Sequence, residues 1–135
     1  MTALAFLSLS VVSVVSVMSS GAGQQVPVFR SAVDLVNVDA SECGGVTEWR
    51  RAAALCGVAG VQMAHHEESQ ISRHLLAAVP HGTYAECFAD PERDPVWQAL
   101  WANRPAVKDG MLEVAAGPGF GLELDSAMIR RYRCD

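Results

Sequence analysis

From Val33 onward the apolar positions switch repeatedly between strand and helix spacing. Val33-Asp34-Leu35-Val36-Asn37-Val38 is a short β-branched run that ends at Asp39. Gly44-Gly45 marks a turn. Thr47 is a suitable N-cap, and Glu48 behind it suits the positive end of a helix dipole. Trp49, Ala52, Ala53 and Cys56 then recur at helical spacing until Gly57 and Gly60. Val61 to His66 reads as a second strand. Ser69 or Glu68 can cap a helix carrying Ile71, Leu75 and Ala78 on one face, stopped by Pro80. Thr83 to Ala89 reads as a third strand. This β-α-β-α-β order predicts an α/β fold with three parallel strands and right-handed crossovers.

Beyond Ala89 the rhythm changes. Asp90 to Pro95 is a polar loop punctuated by two prolines. Val96 to Trp101 is a short helical piece with Trp97 and Trp101 at i, i+4. Lys108-Asp109-Gly110 is a hairpin-type turn. Met111–Val114 and Gly121–Leu124 can pair as short strands around Gly117-Pro118-Gly119. Asp125 or Ser126 can cap a last helix, Ala127 to Arg133.

Residues 1–24 have a different texture and contain no charged side chain. Ala3 to Met18 is an apolar run broken only by serines, short of the roughly 20 residues a membrane helix needs. Its length suits the apolar core of a secretory signal, and Ser20 to Gly23 supplies small residues for cleavage. No Lys or Arg precedes it, however. A signal-like or membrane-inserted leader therefore stands beside a buried strand or a misplaced start of the reading frame. The Ser/Val alternation of Leu9–Val17 favours β structure over helix. The expected division is a leader over 1–24, a linker over 25–32 containing Pro27, and a folded part over 33–135.

Composition narrows the options. A chain of 135 residues is one domain by length, and half of them are hydrophobic, enough for a packed core. The formal charge of −5 and the absence of a basic stripe exclude nucleic acid as an expected partner. Cys43, Cys56, Cys87 and Cys134 show no C-x-x-C spacing, so a zinc ribbon or thioredoxin-type motif is excluded. Two disulfides are permitted, but buried free thiols are the plainer reading.

Asp39, His66 and Glu86 stand at or near the ends of the three predicted strands. In parallel α/β folds the carboxyl ends of strands are where sites form. A carboxylate beside an imidazole fixes its tautomer and raises its pKa, giving a base that can accept and return a proton. A third residue, Glu86, in a pocket shielded from water could stay protonated and stabilise a developing oxyanion. The bland alternatives are a loop cap for Asp39 and a satisfied structural histidine. His66-Glu67-Glu68-Ser69-Gln70 only begins like the H-E-x-x-H zinc helix, because Gln70 occupies the second histidine position. His65 is expected to be structural, since neighbours on a strand face opposite ways. His74 is expected at the core edge or surface, and His81 in a turn.

These residues carry a resemblance. Val36-Asn37-Val38-Asp39, followed by Gly44-Gly45-Val46-Thr47-Glu48-Trp49, resembles the sixth-strand segment of the mandelate racemase/muconate lactonizing branch of the enolase superfamily. Met63 to His66 and Gln70 to Pro80 resemble its seventh strand and helix. Tyr84-Ala85-Glu86 resembles the eighth strand, and Gly117 to Asp125 the C-terminal tail. The likeness runs from about Val33 to Arg133. It implies the C-terminal βα units of an incomplete (β/α)7β TIM-type barrel. It also implies a lyase or isomerase, an acid-sugar dehydratase or racemase, that abstracts a proton α to a carboxylate with Mg²⁺. By position His66 matches the family's base, Asp39 its dyad partner and Glu86 the acid on the substrate carboxylate.

The family's three acidic Mg²⁺ ligands and second, lysine base belong to units with no counterpart in residues 1–32. The chain alone is thus expected to be a truncated, inactive member, with no cofactor-binding or metal residues of its own. The implied partners are a small carboxylic acid, an oligomer or complementing chain, and a membrane through residues 1–23. The implied location is cytoplasmic, and the alternative is an exported or membrane-tethered non-catalytic binding module. An open three-stranded sheet would also leave two unpaired edges.

Overall fold

A computed structural model describes residues 2–5, 14–17, 33–88, 90 and 92–134. The leader and linker readings therefore lie outside the described residues, apart from two short strands, β1 (Thr2–Ala5) and β2 (Val14–Val17). Among the described residues no helix is long and apolar enough to cross a membrane.

The predicted alternation is present: β3 (Leu35–Val38), α1 (Val46–Ala59), β4 (Gln62–His65), α2 (Ser69–Ala77) and β5 (Gly82–Ala85). β3, β4 and β5 are adjacent and parallel, with Leu35 opposite Gln62 and His65 opposite Ala85. Their outer neighbours are β2, parallel to β3, and β1, parallel to β5, so neither edge of the three-stranded unit is bare as the sequence suggested.

The core follows from the helix spacing. Trp49, Ala52, Ala53 and Cys56 are the buried face of α1. Trp49, Ala53 and Cys56 share one core cluster with Val36, Val38 and Met63 from the strands and with Leu75 and Leu76 from α2. The Trp49 indole also donates from Nε1 to the Val38 carbonyl at 3.2 Å, tying helix to strand. All four cysteines are free thiols.

Several boundaries differ from expectation. α1 starts at Val46 with Gly45 at the cap position, not Thr47. The entry is a backbone turn in which the Cys43 and Gly45 amides donate to the Asp39 and Ala40 carbonyls, and Gly44 and Gly45 take φ of 104° and 94°. α2 buries Ser69, Gln70, Ser72 and Arg73 beside Leu75 and Leu76, whereas Ala78 lies past the helix end and is exposed. Its Arg73 donates to the Glu113 carbonyl at 2.8 Å. β5 stops at Ala85 rather than Ala89.

Near the C-terminus α3 (Pro95–Ala99) stands where a helical piece was expected over 96–101, and the expected turn at Lys108-Asp109-Gly110 joins β6 (Val107–Lys108), a strand not expected, to β7 (Met111–Glu113), with Asp109 and Gly110 in the left-handed conformation the turn needs. β7 pairs with β6 and β1, not with 121–124. Gly117, Gly119 and Gly121 all take positive φ, which curls the segment, and Leu124 bridges only Trp101. Asp125 caps α4 (Ser126–Tyr132) through the Ala127 and Met128 amides.

Gly82 enters β5 where a side chain has no room. A Cβ there would lie 2.3 Å from the Leu76 carbonyl oxygen, a backbone atom that cannot swing aside. Gly82→Ala should cost about 1–3 kcal/mol, by the usual penalty of overpacking. A thermal melt unchanged from the parent would contradict the tight α2–β5 approach.

Candidate active site

Asp39, His66 and Glu86 are each the first residue beyond a strand: β3 ends at Val38, β4 at His65 and β5 at Ala85. Three adjacent parallel strands thus deliver one polar side chain apiece to the same end. The His66 ring lies between the other two, with Nδ1 3.4 Å from Asp39 Oδ2 and Nε2 3.5 Å from Glu86 Oε2.

Local chemistry sets each group. Asp39 Oδ1 accepts from the Ser41 amide and the Ser41 hydroxyl, both at 2.7 Å, and from the Glu42 amide at 3.4 Å. That oxygen is engaged, which leaves Oδ2 for His66. Burial works against the ionisation of Asp39. The Ser41 hydroxyl and amide and the His66 ring outweigh it, so the carboxyl sits below its ordinary range. Ser41 was not singled out from the sequence, although a serine two residues after an aspartate is a recurring turn signal.

His65 is structural in a specific way. Its ring is buried and stacked on Trp49 at 6.1 Å. Nδ1 lies 2.7 Å from the His66 carbonyl, so it donates there, and Nε2 accepts from the Ala40 amide at 3.1 Å. One imidazole therefore fixes the backbone beside Asp39 and at His66 together. His74 and His81 bond the Phe120 and Ala53 carbonyls, at 2.9 Å each, away from the site.

After His66 the chain turns through two consecutive non-glycine residues in the left-handed region, Glu67 (φ 49°) and Glu68 (φ 45°). Such conformations cost on the order of 1–3 kcal/mol each. The turn aims the Glu67 amide at Glu86 Oε2, 3.2 Å away, and so couples the ends of β4 and β5. The shielded pocket expected around Glu86 is not found, because 38% of its side chain is exposed. No loop among the described residues covers it.

Two sets of side chains come close enough to share a cation: Asp39 with His65 and Glu68, and Asp39 with Glu42 and His66. Neither fits Mg²⁺, which demands near-octahedral oxygen ligation. Both ring nitrogens of His65 and one oxygen of Asp39 are already engaged. What remains is a mixed set with too few oxygens.

Burial lowers the pKa of His65 by disfavouring the imidazolium, and lowers that of His74 likewise, with the Arg73 charge adding. An unfolded histidine takes up its proton near pH 6.5, whereas these resist it when folded. Their contribution to stability is thus present above about pH 6.5 and lost as the pH falls toward the folded values. Asp39 acts in the same sense at lower pH. Glu68, pushed up by burial with the Asp39 charge adding, acts oppositely: its contribution is present in acid and lost as pH rises through its folded value. In a Glu68→Gln background the urea midpoint should therefore fall between pH 7 and pH 5.5. A level midpoint would mean that neither His65 nor His74 is buried in solution.

Comparisons with known proteins identify the family of the chain. A family model described as "Enolase C-terminal domain-like" matches residues 23–128. The chain is 31% identical over 112 residues to a "D-galactonate dehydratase family member" of Streptomyces bingchenggensis, covering 80% of this chain and 27% of that one. Among solved structures it is similar to a mandelate racemase/muconate lactonizing enzyme from a marine actinobacterium in complex with magnesium. The identity there is 48%, the TM-score 0.71, and the coverage 77% of this chain and 29% of the other. It is also similar to L-talarate dehydratase from Polaromonas sp. JS666 complexed with Mg and L-glucarate. Here the identity is 31%, the TM-score 0.63, and the coverage 73% and 26%. The chain thus spans between 26% and 29% of the length of these relatives.

Proposed function

Because the chain belongs to the enolase C-terminal domain-like family, we propose that Asp39, His66 and Glu86 are the base-and-acid side of a site that abstracts a proton α to a carboxylate. The substrate class is a hydroxy or sugar acid, and the outcome dehydration or racemisation. The observation that carries this reading is the His66 ring held between two carboxyl groups, 3.4 Å from one and 3.5 Å from the other.

In this reading the Cα–H proton passes to His66 Nε2, and the C–H electron pair moves into the substrate carboxyl group as an enolate. Asp39, ionised and fixed by Ser41, holds Nδ1–H and stabilises the imidazolium that forms. Glu86, steadied by the Glu67 amide, donates a hydrogen bond to the substrate carboxylate when its own carboxyl carries a proton. The enolate then regains a proton at Cα, or its electron pair forms a Cα–Cβ double bond as the β C–O bond breaks and the hydroxide leaves as water with the proton that His66 carries. Magnesium, the cofactor that the family resemblance carries, supplies charge stabilisation to an enolate where it is bound. The described residues build no cage for it.

The chain by itself is accordingly expected to exchange substrate α-protons no faster than buffer, with or without Mg²⁺. Replacing the matched segment of the Polaromonas L-talarate dehydratase with residues 33–133 should restore exchange, followed by deuterium incorporation into L-glucarate in D₂O. A hybrid that folds and binds magnesium but incorporates no deuterium would sink the assignment.

A further inference from the structure

His65 is a titratable group that the proton-abstraction chemistry does not use, yet it lies against both halves of the base. Its ring is 0% exposed at the end of β4. Nε2 reaches the turn after β3 and accepts from the Ala40 amide at 3.1 Å. Nδ1 reaches the turn after β4, 2.7 Å from the His66 carbonyl. Ala40 stands between Asp39 and Ser41, in the short turn whose Ser41 amide and hydroxyl hold Asp39 Oδ1. The His66–Asp39 contact across the same two turns is longer, 3.4 Å, and too weak to set their separation by itself.

We infer that His65 is a positioning residue for the base: as the neutral Nδ1–H tautomer it sets the separation at which His66 meets Asp39, and it releases the Asp39 turn when it is protonated. The two states exclude each other at Nε2. The Ala40 amide donates to the lone pair there, and a proton on that nitrogen would set one N–H against another. The Nδ1 bond survives, because Nδ1 carries its proton in both states. Protonation thus frees the Asp39 turn while the His66 turn stays tied. Burial opposes protonation and prevails, although the His66 carbonyl, the Asp39 charge and the Glu67 backbone favour it; the His66 ring adds to the opposition. A Glu68 carboxyl oxygen lies within 4.8 Å of a ring nitrogen, α1 presents the uncharged Trp49 indole, and β5 places Ala85 opposite. The tether is therefore intact above the folded pKa of His65, which lies below 6.5, and is lost as the pH falls through it. Its effect on catalysis rests on the proton-abstraction reading; the opening of the tether does not.

NMR titration of the isotope-labelled full chain tests this. The neutral His65 ring should carry its proton on Nδ1, and the Ala40 amide should shift with the midpoint of the His65 ring. Across that midpoint the protection of the Ala40 amide from solvent exchange should fall about tenfold, the scale of one net hydrogen bond. In His65→Asn the side-chain amide keeps the His66 bond but does not reach Ala40. Ala40 should then be unprotected at every pH, and Asp39 should titrate higher as the Ser41 bonds that hold it down loosen. In His65→Gln the side-chain oxygen stands in for Nε2, and the acid transition of Ala40 should vanish. An Ala40 amide indifferent to the His65 titration would overturn the inference, and the parent chain decides that even where a variant fails to fold. In the hybrid dehydratase His65→Asn should lower kcat for exchange about tenfold with KM for L-glucarate unchanged, and His65→Gln should recover most of it. Exchange indifferent to His65→Asn would remove the positioning role and keep the proton-transfer reading. No exchange in the parent hybrid, with Ala40 titrating as described, would remove that reading and leave the tether standing.

Discussion

Trp49→Ala is expected to remove about 3–5 kcal/mol of stability, the range for deleting a large buried aromatic. Small domains have about 5–15 kcal/mol in total, so much of the folded population is at stake. Trp49 is 0% exposed and lies between β3 and α1. Its loss opens a cavity, leaves the Val38 carbonyl without its donor, and takes the stacking face from His65. The damage should reach the site, because His65 fixes both Ala40 and the His66 carbonyl. Trp97→Ala is the control. That indole is 37% exposed, and its loss should cost a fraction as much. Equal shifts of the urea midpoint for the two variants would contradict the packing described.

His66→Asn, made in the hybrid dehydratase, is expected to lower deuterium exchange by about 10²–10⁴-fold, the usual contribution of a positioned base. Asparagine keeps a polar group near Asp39 Oδ2 but offers no nitrogen that can take a proton. Asp39→Asn should cost less, because the imidazole remains and loses only the partner that holds Nδ1–H. Ser41→Ala acts one step further out, through Asp39. A His66→Asn hybrid that keeps parental exchange, with magnesium binding intact, would transfer the base role to another residue. Equal losses for His66 and Ser41 would instead point to local unfolding.

The strands and helices from 35 to 85 were legible because their apolar spacing is regular and glycines and Pro80 punctuate it. The three strand-end residues were legible for the same reason: once strands are parallel, their last polar residues share an end. Glu67 and Glu68 were not legible, since their left-handed turn is imposed by ties across the site and opposes their own preferences. The buried face of α2 was misread for a related reason. Arg73 looks like a surface residue until the neighbouring hairpin is in place, where it donates to the Glu113 carbonyl. Pairing of 111–114 with 121–124 failed because three glycines curl the intervening chain.

β6 is one of the two edges of the sheet among the described residues, and it offers little to a second copy of this chain. It is two residues long and exposed, it pairs with β7 on one side, and it ends in the charged Lys108-Asp109 turn. A strand arriving from another molecule would find two residues of backbone to bond to, with a lysine charge to desolvate. Such edges discourage fibrous association. If copies of this chain self-associate in solution, face-to-face contact through side chains is favoured over extension of the sheet at β6.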